Sequence, residues 1–93
     1  MGYELDLTEF DKLEQMLKDA GIKYRRVEGG ALGFHQLRSV QALGDQWLYD
    51  VVCNWASYGH ESGLLEMWGK SMIEPEGWLS AEDCLKKIKE IVG

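Results

Sequence analysis

Ser57, Tyr58, Gly59, His60, Glu61, Ser62 and Gly63 place hydroxyl, phenol, imidazole and carboxylate groups in one short stretch between apolar runs. Such groups can do acid–base or nucleophilic chemistry if they converge on one point. The nucleophile elbow of hydrolases needs Ser in the middle of Gly-x-Ser-x-Gly. Gly59-His60-Glu61-Ser62-Gly63 has its Ser in fourth place. A Ser62–His60–Glu61 set would have to converge from adjacent positions of one turn, which neighbours rarely do. Cys53 with His35 as its base is a second nucleophilic pairing, but an alternating apolar strand buries that thiol and raises its pKa. A small hydrolase-like enzyme is therefore the third-ranked reading, and no catalytic residue is expected. His35, Asp50, His60 and Glu61 have neither zinc-motif nor EF-hand spacing, so no metal and no cofactor is expected either.

Anion binding has more coherent support. The net charge is −6, but residues 21–42 carry one acid and four bases, Lys23, Arg25, Arg26 and Arg38. One basic stretch in an acidic chain suits a small anion and excludes broad nucleic-acid binding, which needs an extended basic surface. Arginine presents a planar fork to phosphate oxygens, and an aromatic ring can stack a base. Tyr24, Tyr49, Trp55, Tyr58 and Trp68 are the aromatic candidates. The expected ligand site is Arg25, Arg26, His35 and Arg38 for phosphate, Trp55 and Tyr58 for stacking, and His60, Glu61 and Ser62 for a sugar or base. The plain alternative is that the arginines pair with acidic helix faces as ordinary surface charges. The four Trp and four Tyr also suit a protein inhibitor that docks on a basic partner.

The elements that must position these groups follow from periodicity. Phe10, Leu13, Leu17 and Ala20 recur at helical spacing, opened by a Thr8–Asp11 capping pair and closed by Gly21 with Ile22 as in a Schellman ending. Ser80 and Asp83 repeat the capping pattern before Ala81, Cys84, Leu85, Ile88 and Ile91. Leu79 and Cys84 fall at the staple positions of that second helix.

Between the helices the period is two. Trp47, Tyr49, Val51, Cys53 and Trp55 form the apolar face of a central strand. Residues 23–28 and 32–42 read as a hairpin about Gly29-Gly30, with a bulge near Gly33–His35 because Leu37 changes parity from Leu32 and Phe34. Gly44-Asp45 marks the next turn, and Leu64–Trp68 is the last strand. Lys70–Trp78 reads as a surface connection with Trp78 folded back on the core.

The 93 residues thus make one domain, 1–93, with an α+β fold. It is a two-layer sandwich, an antiparallel three- to four-stranded sheet with the N- and C-terminal helices on one face. No apolar run approaches membrane-spanning length, and the acidic N-terminus is unlike a signal peptide. Cys53 and Cys84 then read as reduced core thiols of a cytoplasmic protein. A chain this small gains core by pairing an edge strand or apolar face, so a homodimer is compatible.

The run Ser57–Gly69, SYGHESGLLEMWG, followed by Gly77–Asp83, GWLSAED, resembles a family of small acidic phage and prophage proteins of Firmicutes. Phe-Asp-Lys-Leu at 10–13 and Ala-Gly-Ile at 20–22 extend the resemblance over most of the chain. The family brings no activity and no site residues. It implies a setting, an accessory protein in a bacterial host cytoplasm, and by analogy a counter-defence task. The leading expectation is a non-enzymatic protein that sequesters a small nucleotide-derived signal. The runner-up is an inhibitor of a host defence protein such as a CRISPR or other nuclease.

Overall fold

The computed structural model describes residues 6–29, 34–39, 48–54, 59, 63–70 and 72–92. The elements run α1 (Thr8–Asp19), β1 (Arg25–Gly29), β2 (Phe34–Arg38), β3 (Tyr49–Cys53), β4 (Leu65–Gly69), β5 (Glu76–Leu79) and α2 (Ala81–Val92). The sheet is antiparallel in the order β1-β2-β3-β4-β5, so β3 is central as its alternation predicts. This is the expected α+β sandwich, with five strands where three or four were expected.

The three helix ends read from sequence are present, one with a different cap. Gly21 has φ 70°; its N–H bonds the Lys18 carbonyl at 3.1 Å, and the Ile22 N–H reaches the Leu17 carbonyl at 3.0 Å. That pair of bonds is the Schellman ending. At the start of α1 the expected Thr8–Asp11 box is replaced. Leu7 is the N-cap residue, and Asp6 accepts from the Thr8 N–H at 3.0 Å. The helix begins one residue before the expected register, which puts Thr8 inside its first turn. In α2 the box is reciprocal: Ser80 Oγ accepts from the Asp83 N–H at 3.2 Å, and Asp83 Oδ2 from the Ser80 N–H at 3.3 Å.

The two helices share one face of the sheet. Phe10, Leu13 and Leu17 of α1 and Ala81, Cys84 and Ile88 of α2 meet Leu37, Tyr49, Val51, Cys53, Leu65, Met67 and Leu79 from the strands. Glu9 of α1 accepts from the Ala81 N–H at 2.7 Å, capping its neighbour, and Lys12 pairs with Glu82. Cys53 and Cys84 are buried free thiols; burial pushes both up, Cys84 to about 12. No described helix is long and apolar enough to cross a membrane.

Three details of the sheet depart from expectation. The β1–β2 ladder runs unbroken from Arg25↔Arg38 to Gly29↔Phe34, so β2 holds no bulge; Gly33 lies outside the described residues, as do Gly30 and the Gly44-Asp45 turn. The irregularity lies instead at the other edge. Leu65↔Leu79 and Met67↔Glu76 pair across unequal lengths, leaving an extra residue on β5. The end of Lys70–Trp78, which reads as a surface connection, thus begins a fifth strand. Trp78 sits at that irregularity with φ 60° and is 55% exposed rather than folded onto the core.

Candidate functional site

Strand alternation divides the predicted anion-binding residues between two faces. Arg26 pairs with Leu37, which is buried under the helices, so its side chain lies on the helix side. There it bonds Glu14 at 2.7 Å, Asp11 at 3.0 Å and Glu28 at 2.7 Å, and its guanidinium stands 4.9 Å from the centre of the Phe10 ring. Burial opposes its charge, but the bonds from Glu28, Glu14 and Asp11 hold the guanidinium above its ordinary range. Burial likewise pushes Glu14 up, yet Tyr24, at 2.8 Å, and Arg26 carry it below its ordinary value. His35 lies on the same side, 3.1 Å from Glu28 and edge-on to Phe10. Arg26 with Asp11, Glu14 and Glu28 thus forms an ion-pair network that fastens β1 to α1, and His35 joins it by its contact with Glu28. For Arg26 the plain alternative, pairing with an acidic helix, is what the fold shows.

Arg25 and Arg38 point the other way. They are cross-strand partners on the face that carries neither helix. The register continues across the sheet: Arg38 pairs with Asp50, and Asp50 with Trp68. Arg25, Arg38, Asp50 and Trp68 therefore stand in one row on the helix-free face. With strands about 4.8 Å apart, the row from Arg38 to Trp68 spans about 10 Å of sheet. The next row is Val27, Gln36, Val52 and Glu66. Arg25 is exposed, while Arg38, Asp50 and Trp68 are half-buried. Burial, reinforced by the Glu66 carboxylate, pushes Asp50 above its ordinary value. Arg38 and Glu66 both have partners of their own.

The other predicted site residues, Trp55, Tyr58, His60, Glu61 and Ser62, lie outside the described residues. The two glycines that flank them are described. Gly59 has φ 96° and lies against β5: a Cβ there would come within 2.9 Å of the Trp78 backbone nitrogen. Gly63 has φ 70° and lies against Asp6, where a Cβ would come within 2.7 Å of a carboxylate oxygen. Only glycine tolerates both the left-handed backbone and these contacts. The Leu64 N–H closes the turn on the Gly59 carbonyl at 3.0 Å. This connection departs from the Cys53 end of β3, whereas the arginine row crosses β3 at Asp50. Gly63, just before the start of β4, therefore lies at the opposite end of the sheet from the row.

The structure does not gather Arg25, Arg26, His35 and Arg38 into one site. It forms instead a row that sequence alternation alone does not reveal, because Asp50 and Trp68 join the arginines only through cross-strand register. Tyr24 is engaged with Glu14, and Tyr49 is buried, bonded to the Lys23 carbonyl at 3.1 Å and pushed up to about 12 by burial and, less, by Tyr24. That leaves Trp68 as the described aromatic candidate on the helix-free face. Among the described residues no group of three or more His, Cys, Asp or Glu is arranged to hold a metal. Compared with known families, characterised proteins and solved structures, the chain matches none.

Proposed function

We propose that this chain is a non-catalytic binding protein that holds a small, anionic, nucleotide-derived molecule on the helix-free face of its sheet. The observation that carries this reading is the row Arg25–Arg38–Asp50–Trp68. Two guanidinium groups at one end suit phosphate oxygens, and an indole at the other suits stacking of a base. Arg26 and His35, expected to share the phosphate, serve the α1–β1 network instead. Cys53 supports a non-catalytic reading, since its thiol is buried and pushed up by burial and then by Asp6. The resemblance to phage and prophage proteins supplies the setting, sequestration of a defence signal in a bacterial host.

The test is a thermal-shift screen with cyclic mono- and dinucleotides and ADP-ribose. A ligand bound at 100 times its Kd stabilises the fold by about 2.7 kcal/mol, a shift of several degrees. At least one of these compounds raises Tm, and Arg25→Ala/Arg38→Ala removes the effect. A screen in which none raises Tm overturns the proposal. A second reading, an inhibitor docked on a host defence protein, draws on Trp78, whose exposed ring is of the type that dominates protein interfaces. A stoichiometric protein partner in a host lysate, lost on Trp78→Ala, would favour it.

A further inference from the structure

The same row carries a more specific inference, which rests on the nucleotide-binding reading. Asp50 stands between the arginine pair and Trp68, on the strand that separates them. A nucleotide laid along the row with phosphate over Arg25 and Arg38 and base over Trp68 places its sugar over Asp50. A carboxylate in that position accepts from sugar hydroxyls, and a charge-assisted bond of this kind is among the stronger polar contacts.

A second group belongs to the same position. Gln36 projects to this face one row away, diagonal to Asp50, and is only 7% exposed. Among the described residues no side chain bonds its amide, and buried amides ordinarily have partners. An amide that donates and accepts, beside a carboxylate that accepts, is a recognition pair for hydroxyl groups. Neither group has any use for a deoxysugar carbon.

We infer that Asp50, assisted by Gln36, makes this face selective for ribose over 2′-deoxyribose, so that the ligand is a ribonucleotide derivative with a free 2′-hydroxyl. The probes are ADP and 2′-deoxy-ADP, titrated calorimetrically into the wild-type protein and into Asp50→Ala and Gln36→Leu. ADP binds the wild type about tenfold or more tightly than 2′-deoxy-ADP, the size of effect expected from one hydrogen bond to a charged group. In Asp50→Ala the two affinities converge while binding persists through the arginines and Trp68. Gln36→Leu, close in size to the native side chain, narrows the ratio less. Equal affinities of the two probes for the wild-type protein overturn the ribose inference and leave the nucleotide reading standing. Binding of neither probe, together with a signalling-nucleotide screen that raises no Tm, overturns both. Because the deciding ratio is measured on the wild type, the result does not depend on how any variant folds.

Discussion

Arg25 and Arg26 are neighbours in sequence, yet the sheet sends them to opposite faces. Arg26 lies under α1 among Asp11, Glu14 and Glu28, with Phe10 beneath its guanidinium. Arg25 is exposed on the helix-free face, across from Arg38. One face of the sheet is filled by an apolar core and rimmed by ion pairs. The other carries Arg25, Arg38, Asp50 and Trp68 in one row, with Gln36 and Glu66 in the next. Charge on a strand therefore has no functional meaning until its face is known.

Substitutions on the two faces test this division, beginning with the largest effect. Leu13→Ala or Leu65→Ala, both fully buried on the helix side, lowers stability by about 2–5 kcal/mol in denaturant unfolding. Val52→Ala, half-buried on the opposite face, costs clearly less. Equal losses would show that the helix-free face is packed as tightly as the core.

Arg26→Ala removes the cation from three carboxylates and costs about 1–3 kcal/mol. Arg26→Lys recovers only part, because an ammonium cannot reproduce the forked contacts. Arg25→Ala changes stability by less than about 0.5 kcal/mol and weakens ligand binding instead. If the two arginine variants behaved alike, the separation of roles would be lost.

Gly59→Ala combines a left-handed φ of 96° with a Cβ pressed on the Trp78 backbone, and it destabilises by more than about 1 kcal/mol. Gly21→Ala has the same strained sign of φ, at 70°, with no atom within 4 Å of the added Cβ. It isolates the conformational part and costs less. A Gly59→Ala no worse than Gly21→Ala would mean that the close approach of Gly59 to the Trp78 backbone is not needed.

The smallest effect concerns pH. The folded pKa of Asp50 is raised, so the native state holds that proton more tightly than the unfolded chain. Its ionisation therefore costs stability as pH rises through the window above its ordinary value. Asp50→Asn raises Tm slightly at pH 7, and the gain fades below about pH 4, where both states are protonated. A destabilising Asp50→Asn at pH 7 would show that the carboxylate has a structural partner.

Much of the fold was legible because local signals agreed. Gly21 after Leu17 and the Ser80–Asp83 pair mark helix ends by their own chemistry, and Tyr49, Val51 and Cys53 alternate cleanly. β5 was hidden because its bulge breaks the alternation that reveals strands, and because Trp78 adopts a backbone conformation uncommon for its type. The Thr8 cap was misplaced by the Asp6 carboxylate, an equally good acceptor two residues earlier. The candidate site was legible only in fragments. Arginines at 25, 26 and 38 are visible as a basic stretch, but whether they share a face depends on the parity of Leu37. Their alignment with Asp50 and Trp68 depends on the register of three strand pairs. Those are relations among distant residues, which no local pattern encodes.

The central claim is that the helix-free face holds the ligand. Backbone amide shifts of the labelled protein, followed by NMR during titration with whichever nucleotide raises Tm most, test it directly. The account predicts saturable shifts at Arg25, Arg38, Asp50 and Trp68, including the Trp68 indole N–H, with little movement at Leu13, Leu17 and Ile88. Shifts centred on α1 and α2, with the row unmoved, would contradict it.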